Sequence, residues 1–179
     1  NLLGTQQSGH IATVGYELYC QLLENAVRAL QNSTPRLKLD VDINLPGEAL
    51  LPDNYIPDMR LKIDLYRRLT RINAFQELDD LRAEMIDRFG PVPLQAERLL
   101  AHVELKMDAA LWFLSAIFRE DKFVVFQYRD RGRMEQLART NPGKVRIVDD
   151  KSAYLPLPAK VTEPDQIFAW VKSVLRPIK

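Results

Sequence analysis

The nine residues LKLDVDINL, at positions 37–45, are apolar at every odd position and polar at every even position. A period of two over such a length predicts a β-strand with one buried face and one solvated face. Strands of this kind belong mostly to antiparallel or mixed sheets that are covered on one side. This stretch therefore predicts a sheet whose buried face needs helices packed against it.

Helical spacing of apolar residues flanks this strand on both sides. Before it, residues 10–31 predict a long helix that Ser8 caps and that the segment 32–35 ends. After it comes a loop rich in proline and glycine, residues 46–57, in which no regular element is expected. Three helices then follow in the sequence: residues 58–72, a helix capped by Asn73 and Gln76 that ends at Gly90 and Pro91, and residues 93 to about 112.

The last third of the chain is rich in β-branched and aromatic residues, which favours strands. The predicted elements are strands at 114–118 and 123–128 with a turn at 119–122, a helix at 131–140, strands at 144–148 and 153–157, and a closing helix capped by Thr162. Pro156 is expected to place its strand at a sheet edge. The order of elements predicts an α+β fold: a mixed or antiparallel sheet covered by helices, with a leading long helix.

The composition of the 179 residues is that of an ordinary globular chain, with a formal net charge of +1. That charge argues against strong nonspecific affinity for nucleic acid, although a local basic patch is compatible with it. The single cysteine, Cys20, has no internal disulfide partner, which indicates a reducing, cytoplasmic compartment. No run of about 20 apolar residues predicts a membrane span. The start at Asn1, without an initiator methionine, indicates a piece of a longer protein.

Residues that carry out catalysis or hold cofactors are scarce in this sequence. His10 and His102 are the only histidines, and together with Cys20 they form no metal-ligand spacing. No glycine-rich phosphate-binding motif precedes a helix. We therefore predict no catalytic, cofactor-binding or metal-binding residues in this chain, and we expect His102 to be a partly exposed helix residue.

The densest basic stretch lies in the first helix after the strand and comprises Arg60, Lys62, Arg67, Arg68 and Arg71. Leucines between these residues predict the buried side of the same helix. Two interpretations of the basic side are open: a solvated helix face, or the polar rim of a binding site for a protein or a nucleic acid.

The loop ahead of this helix carries the conspicuous residues Asp53, Asn54, Tyr55 and Ile56. Prolines restrict the loop, which lowers the ordering cost of a binding surface. The same segment is also suited to packing and to capping the next helix, and packing is the interpretation that we favour. The candidate partner surface therefore comprises Tyr55, Ile56, Arg60, Arg67, Arg68 and Arg71.

Two segments of the sequence resemble one protein family, in the same order. NLLGTQQSGHIATVGYELYCQLLENAV, residues 1–27, resembles the end of the translocation motif of bacterial transcription-repair coupling factors. ALLPDNYIPDMRLKIDLYRRL, residues 49–69, continuing to LRAEMIDRFGPVP, residues 81–93, resembles the C-terminal domain of the same proteins. The resemblance implies two domains: the end of the translocation motif at 1–35 and a C-terminal regulatory domain at 36–179.

The function that this resemblance implies is regulatory. Members of the family are ATP-dependent DNA translocases whose motor uses ATP and Mg. They displace stalled RNA polymerase from DNA and recruit nucleotide excision repair through the damage sensor UvrA. Their C-terminal domain is implied to be a non-catalytic, autoinhibitory clamp on an N-terminal UvrA-binding module of the same chain. The implied partners are that module and, for the full protein, DNA, RNA polymerase and UvrA, with no membrane.

The same resemblance implies one expectation each for two single residues, Gln7 and Phe113. Gln7 matches the glutamine that couples ATP hydrolysis to DNA movement, and the alternative is a simple polar loop residue. The resemblance places its arginine partner upstream of this sequence, so Gln7 is not expected to act in this chain by itself. Phe113 stands where the family usually has glycine, which predicts a helix-to-strand turn of a different construction.

Two other classes of function compete with the regulatory one. A nucleic-acid-binding module would use the basic helix at residues 60–71, and its DNA affinity would depend strongly on salt. A small enzyme would need a convergent catalytic site, for which His10 and His102 are the only neutral-pH bases in the sequence.

Overall fold

A computed structural model describes Cys20 and residues 40–176 of the chain. The leading helix predicted from the sequence, with Gln7, and the domain boundary predicted at residue 35 lie outside the described residues. From the first strand onward, the helices and strands follow one another in the predicted order.

The chain divides into two compact units. Among the described residues, the helical unit comprises Cys20 and residues 48–104, and the sheet unit comprises residues 40–47 and 105–176. The first strand of the sheet unit is therefore separated from the rest of its unit by more than fifty residues of the other unit, residues 48–104. The domain at 36–179 that the family resemblance implies stays a prediction.

The described part of the helical unit is formed by three helices: α1 (Met59–Arg71), α2 (Phe75–Phe89) and the first part of α3 (Leu94–Leu111), which continues into the sheet unit from Leu105. α1 begins because the Asp58 carboxylate, as N-cap, accepts hydrogen bonds from the backbone amides of Arg60 at 2.8 Å and Leu61 at 3.2 Å. Leu65 and Tyr66 lie four and three residues before Leu69, so all three share its buried face, as an amphipathic helix requires.

The sheet unit contains five strands: β1 (Asp42–Asn44), β2 (Leu114–Glu120), β3 (Phe123–Tyr128), β4 (Arg146–Ile147) and β5 (Ser152–Pro156). They lie in the order β1-β2-β3-β5-β4. β1 is parallel to β2, and the other neighbouring pairs are antiparallel. The mixed sheet confirms the predicted α+β fold class.

One face of this sheet forms the core of its unit together with the end of α3, α4 (Arg131–Thr140) and α5 (Pro164–Leu175). Val41 and Ile43 are buried in this core, whereas Asp42 and Asn44 are exposed. The alternation in the stretch 37–45 therefore predicts correctly which side of β1 is buried. Large core residues from the rest of the unit include Trp112, Leu114, Ile117, Phe126, Tyr128, Met134, Leu155 and Leu175.

β5 lies inside the sheet, so the prediction of an edge strand from Pro156 is wrong. The proline is the last residue of β5, where it pairs with Phe123 of β3. On the other side, β4 pairs only with Ala153 and Tyr154 and ends before it reaches the proline. The missing amide of Pro156 therefore removes no hydrogen bond from the β4–β5 pair.

Two predicted helix caps are replaced by neighbouring residues. α2 begins after Ala74, and the backbone amide of Asn73 donates a hydrogen bond to the Glu77 carboxylate at 3.2 Å. α5 begins after Glu163, which forms a capping box with Gln166, so Thr162 is not its N-cap. In α5 the Glu163 carboxylate satisfies a free amide of the first turn, whereas no side chain caps the first turn of α2.

The turn between α3 and β2 holds Phe113 in the left-handed region, with a φ of 56°. The expectation that phenylalanine forces another kind of turn is therefore wrong. The Phe113 amide donates to the carbonyl of Ala110 at 3.1 Å, and the Arg129 amide donates to the Phe113 carbonyl at 2.9 Å. These hydrogen bonds hold a conformation that costs a residue with a Cβ atom about 1–2 kcal/mol.

Candidate partner-binding surface

The arginines predicted as a partner surface are divided by α1 into two groups. Arg60, Arg67 and Arg71 are seven and four residues apart, so they lie on one face of the helix, together with Asp64. Arg60 and Arg71 are exposed, and their side chains form no ion pair with a described residue. We call these three residues the arginine face; it lies opposite the buried side of α1.

Arg68 lies to one side of the arginine face and pairs with the Glu84 carboxylate of α2. The same carboxylate lies 3.7 Å from the guanidinium of Arg88, one turn further along α2. All three side chains are partly exposed, so solvent screens these pairs and each stabilises the fold by no more than about 1 kcal/mol. Arg68 therefore joins α1 to α2 and has less freedom to bind a partner than its neighbours have.

Lys62, which belongs to the same basic stretch in the sequence, is buried. Its ammonium group pairs with the carboxylate of Asp53, whose side chain is exposed in the loop before α1. A buried ammonium group needs such a partner, because its desolvation costs several kcal/mol. This lysine therefore anchors the loop and adds no charge to the arginine face.

Tyr55 packs the same loop against the end of α2. Its hydroxyl lies 3.0 Å from the carbonyl oxygen of Gly90 and 3.2 Å from that of Met85, and it donates to this pair of acceptors. The ring meets Phe89 edge-on, with 5.9 Å between centroids. Burial raises the pKa of the Tyr55 hydroxyl above its ordinary value, and the nearby Glu97 carboxylate raises it further. Tyr55 is half-buried, so only part of it is accessible to a partner.

Ile56 is fully buried, so it is not accessible to a partner and is not part of the candidate surface. Leu51, in the same loop, is also buried, and its amide donates to the Tyr66 hydroxyl at 2.8 Å. The loop is thus tied to α1 at one end and to α2 at the other. Packing, the interpretation favoured from the sequence, accounts for Ile56.

The outward side of α2 carries apolar residues that the sequence analysis missed. Phe75 is 42% exposed and Ile86 is 49% exposed. They are eleven residues apart, which places them on one face of the helix, and the exposed Asp79 lies between them on that face. We call this the α2 face. The sequence contained a sign of this exposure, because both residues fall outside the buried stripe Leu78, Leu81 and Met85. This sign was overlooked in the sequence because α2 carries many charged residues.

The sequence predicts no catalytic or metal-binding residues in this chain. Within Cys20 and 40–176, no three His, Cys, Asp or Glu side chains converge as metal ligands. His102 is buried, so the prediction of a partly exposed helix residue is wrong. Cys20 is also buried. Over the same residues, no helix has the length and apolar character that crossing a bilayer requires.

These features define an α+β protein that exposes charged and apolar side chains on α1 and α2. The TRCF domain family matches residues 45–137, and the chain belongs to this family. The chain is 41% identical over 108 residues to the transcription-repair-coupling factor of Myxococcus xanthus. It is 41% identical over 112 residues to that of Staphylococcus epidermidis and 42% identical over 113 residues to that of Staphylococcus aureus.

The matched segments cover 60% or 61% of this chain but only 9% or 10% of those relatives. The chain therefore spans about a tenth of their length. A crystal structure described as the C-terminal domain of transcription-repair coupling factor superposes with a TM-score of 0.66. The match covers 78% of this chain and 91% of that one, at 23% identity, and supports the fold alone.

Proposed function

We propose that this chain is the C-terminal regulatory domain of an ATP-dependent DNA translocase that displaces stalled RNA polymerase and recruits nucleotide excision repair. In this proposal it is a non-catalytic clamp on the N-terminal UvrA-binding module of the same protein. The observation that carries the proposal is the TRCF match over residues 45–137, within relatives about ten times as long as the matched segment. ATP and Mg would be used by the motor, outside this domain.

The arginine face and the α2 face are the two places where such a module would bind. Exposed apolar side chains inside a polar rim are typical of protein-binding surfaces. On the α2 face, Phe75 and Ile86 supply the apolar part and the exposed Asp79 supplies a negative charge, while Arg82, on the same side of the helix, is paired with Glu97. This face would suit a partner that is apolar and basic, whereas the arginine face would suit an acidic one.

A clamp that must release its partner needs a modest interface. Contacts between domains of one chain are usually smaller and more polar than permanent interfaces. The mixture of arginines, carboxylates and few apolar residues on these two faces fits that requirement. Binding would favour the closed state, and its loss when the motor engages would expose the surface that UvrA recognises.

Calorimetric titration of this chain against the N-terminal module of its own full-length protein tests the proposal. Arg60→Glu with Arg71→Glu tests the arginine face, and Phe75→Ser with Ile86→Ser tests the α2 face. Arg139→Glu with Lys160→Glu, two exposed positions of the sheet unit, is the matched control. We expect saturable binding that competes with UvrA, and a loss of about tenfold or more in one of the two test pairs.

Two results together contradict the clamp. The wild-type chain, added in trans at any concentration, leaves UvrA binding to the isolated module unchanged, and UvrA binds the full-length protein equally well with and without this domain. If the chain binds but both test pairs keep wild-type affinity, the clamp uses another surface.

Gln7 belongs to the same proposal as a coupling residue at the end of the translocation motif, residues 1–35. In the full-length protein, Gln7→Ala should slow DNA translocation more than ATP hydrolysis.

The second candidate is nucleic-acid binding by the arginine face. The observation that favours it is that the exposed Arg60 and Arg71 and the half-buried Arg67 share one side of α1 with a single carboxylate, that of Asp64. Contacts of three arginines with phosphates would give a slope of about −3 for log affinity against log salt concentration. A DNA titration at several salt concentrations, with Arg60→Glu and Arg71→Glu as tests, separates this candidate from the clamp. A net charge of +1 counts against it.

A further inference from the structure

The exposed aromatic ring of Phe113 lies at a strained position in the backbone. Its φ of 56° is a conformation that glycine adopts freely and that a residue with a Cβ atom does not. The side chain is nevertheless 47% exposed, so only part of the ring contributes to packing. A strained residue with an exposed side chain is a reason to look for a binding role.

Leu111, two residues before Phe113, is the second exposed apolar residue at this turn. It is the last residue of α3 and is 51% exposed. The turn between them is fixed, because the indole nitrogen of Trp112 donates to the carbonyl of Leu175 at 2.7 Å. The amide of Arg129 also donates to the Phe113 carbonyl at 2.9 Å. The two exposed side chains are therefore presented on an ordered backbone, which lowers the entropic cost of binding a partner.

A positive charge lies directly beside the Phe113 ring. The guanidinium carbon of Arg133 lies 5.3 Å from the centroid of the Phe113 ring. The side chain of Arg133 forms no ion pair with a described residue. Its neighbours differ, because Arg129 pairs with Asp40 at 2.9 Å and Arg131 pairs with Glu135 at 3.1 Å. Of these three arginines, Arg133 is therefore the one whose charge is available to bind a ligand.

We propose that Leu111, Phe113 and Arg133 form a docking site for an acidic, apolar protein segment. An apolar side chain of that segment would pack on Leu111 and the free part of the Phe113 ring. A neighbouring carboxylate would accept two parallel hydrogen bonds from Arg133, whose guanidinium lies over the Phe113 ring. The site belongs to the sheet unit and uses none of the residues of the proposed clamp surface.

Charge decides between a protein segment and a nucleic acid as the occupant. A nucleic-acid strand needs several cations along its backbone. Here Arg129 and Arg131 are already neutralised by carboxylates, and the exposed Asp130 adds a negative charge. One unpaired guanidinium beside two apolar side chains matches one carboxylate beside an apolar side chain.

Fluorescence anisotropy with a short labelled peptide of alternating acidic and large apolar residues tests this site. Two control peptides carry lysine in place of the acidic residues or serine in place of the apolar ones. Phe113→Gly removes the ring and the strain together, Phe113→Tyr keeps the ring, and Arg133→Glu reverses the charge. Val148→Ser, at an apolar residue that is 60% exposed in the same unit, and Arg139→Glu are the matched control variants.

We expect saturable binding of the acidic apolar peptide alone, weakened about tenfold or more by Phe113→Gly and by Arg133→Glu. Phe113→Tyr and the two control variants should keep the wild-type affinity. Amide exchange of β2 and β3 shows whether Phe113→Gly remains folded, and Arg133→Glu tests the site without touching the turn. No saturable binding, or binding that both test variants leave unchanged, overturns the proposal. Tighter binding of a single-stranded oligonucleotide, lost in the same variants, overturns the choice of ligand.

Discussion

Phe113 shows how one residue can oppose the local backbone preference and still be part of a stable fold. Its left-handed φ costs about 1–2 kcal/mol, and contacts elsewhere have to offset that cost. The offset comes from the buried Trp112 and Leu114 on either side of it. They fix the path of the chain from α3 into the sheet, and the residue between them must follow that path.

Two substitutions at this position separate the cost of the backbone from the contribution of the ring. Phe113→Ala and Phe113→Gly both remove the ring, but only glycine relieves the left-handed strain. We expect the glycine variant to be about 1 kcal/mol more stable than the alanine variant in urea unfolding, the reverse of the usual order. Ala138→Gly in α4 is the control, where glycine should destabilise as usual. An alanine variant as stable as the glycine variant would contradict the left-handed turn.

At the scale of single elements, apolar periodicity and strand-favouring composition together predicted most of the described structure. The helix predicted at 131–140 is observed as Arg131–Thr140, and the strand predicted at 123–128 is observed as Phe123–Tyr128. Periodicity reports which side of an element is buried, and burial dominates the energetics of both kinds of element. The strand position of Pro156 could not be predicted, because it depends on how far β4 extends along β5.

The candidate surface was predictable only in part for a similar reason. The basic residues of α1 were grouped by density in the sequence, although helical spacing separates Arg60, Arg67 and Arg71 from the others, since a helix fixes which residues share a side. Ile56 lies in a loop, where no period exists, and its burial depends on contacts that are distant in sequence. Phe75 and Ile86 were missed because the residues around them are charged, and charge patterns do not reveal an exposed apolar side chain.

The loop before α1 is attached to the end of α2 through a titratable group, which predicts a pH dependence. The Tyr55 hydroxyl donates to backbone carbonyls only while it is protonated, and burial followed by Glu97 raises its pKa above the ordinary 10.0. A pKa that is higher in the folded state means that the stabilisation is complete below about pH 10. It is lost as the pH rises through the folded-state pKa.

Tyr55→Phe should therefore lower the free energy of unfolding by about 1 kcal/mol at neutral pH. The difference from the wild type should shrink above about pH 10, because the wild type loses its hydrogen bonds there while the variant has none to lose. Urea unfolding at pH 7, 9 and 11 measures this difference. Phe89→Leu, which alters the ring contact of Tyr55 but titrates nothing, should keep a constant effect over the same range. A Tyr55→Phe effect that stays constant would contradict the assigned hydrogen bonds.

At the scale of the whole molecule, the sheet unit depends on a strand that residues 48–104 of the helical unit separate from the rest of the sheet. β1 pairs with β2 in parallel, with Ile43 opposite Ile117, more than seventy residues later in the sequence. A pairing of this range is entropically costly to form, and β1 is only three residues long. Its stability must therefore come from the side chains that it buries, Val41 and Ile43.

Ile43→Ala tests whether this short strand is an integral part of the sheet unit. Because Ile43 is buried in the core, we expect a loss of about 2–5 kcal/mol in the free energy of unfolding. The amides of β2, β3 and β5 should lose exchange protection together, since one core holds them. Asp42→Ala, at the exposed neighbouring position of β1, should change stability by less than about 0.5 kcal/mol. If Ile43→Ala leaves the protection of β3 and β5 intact, β1 is an accessory strand, and the sheet unit folds from residues 105–179 without it.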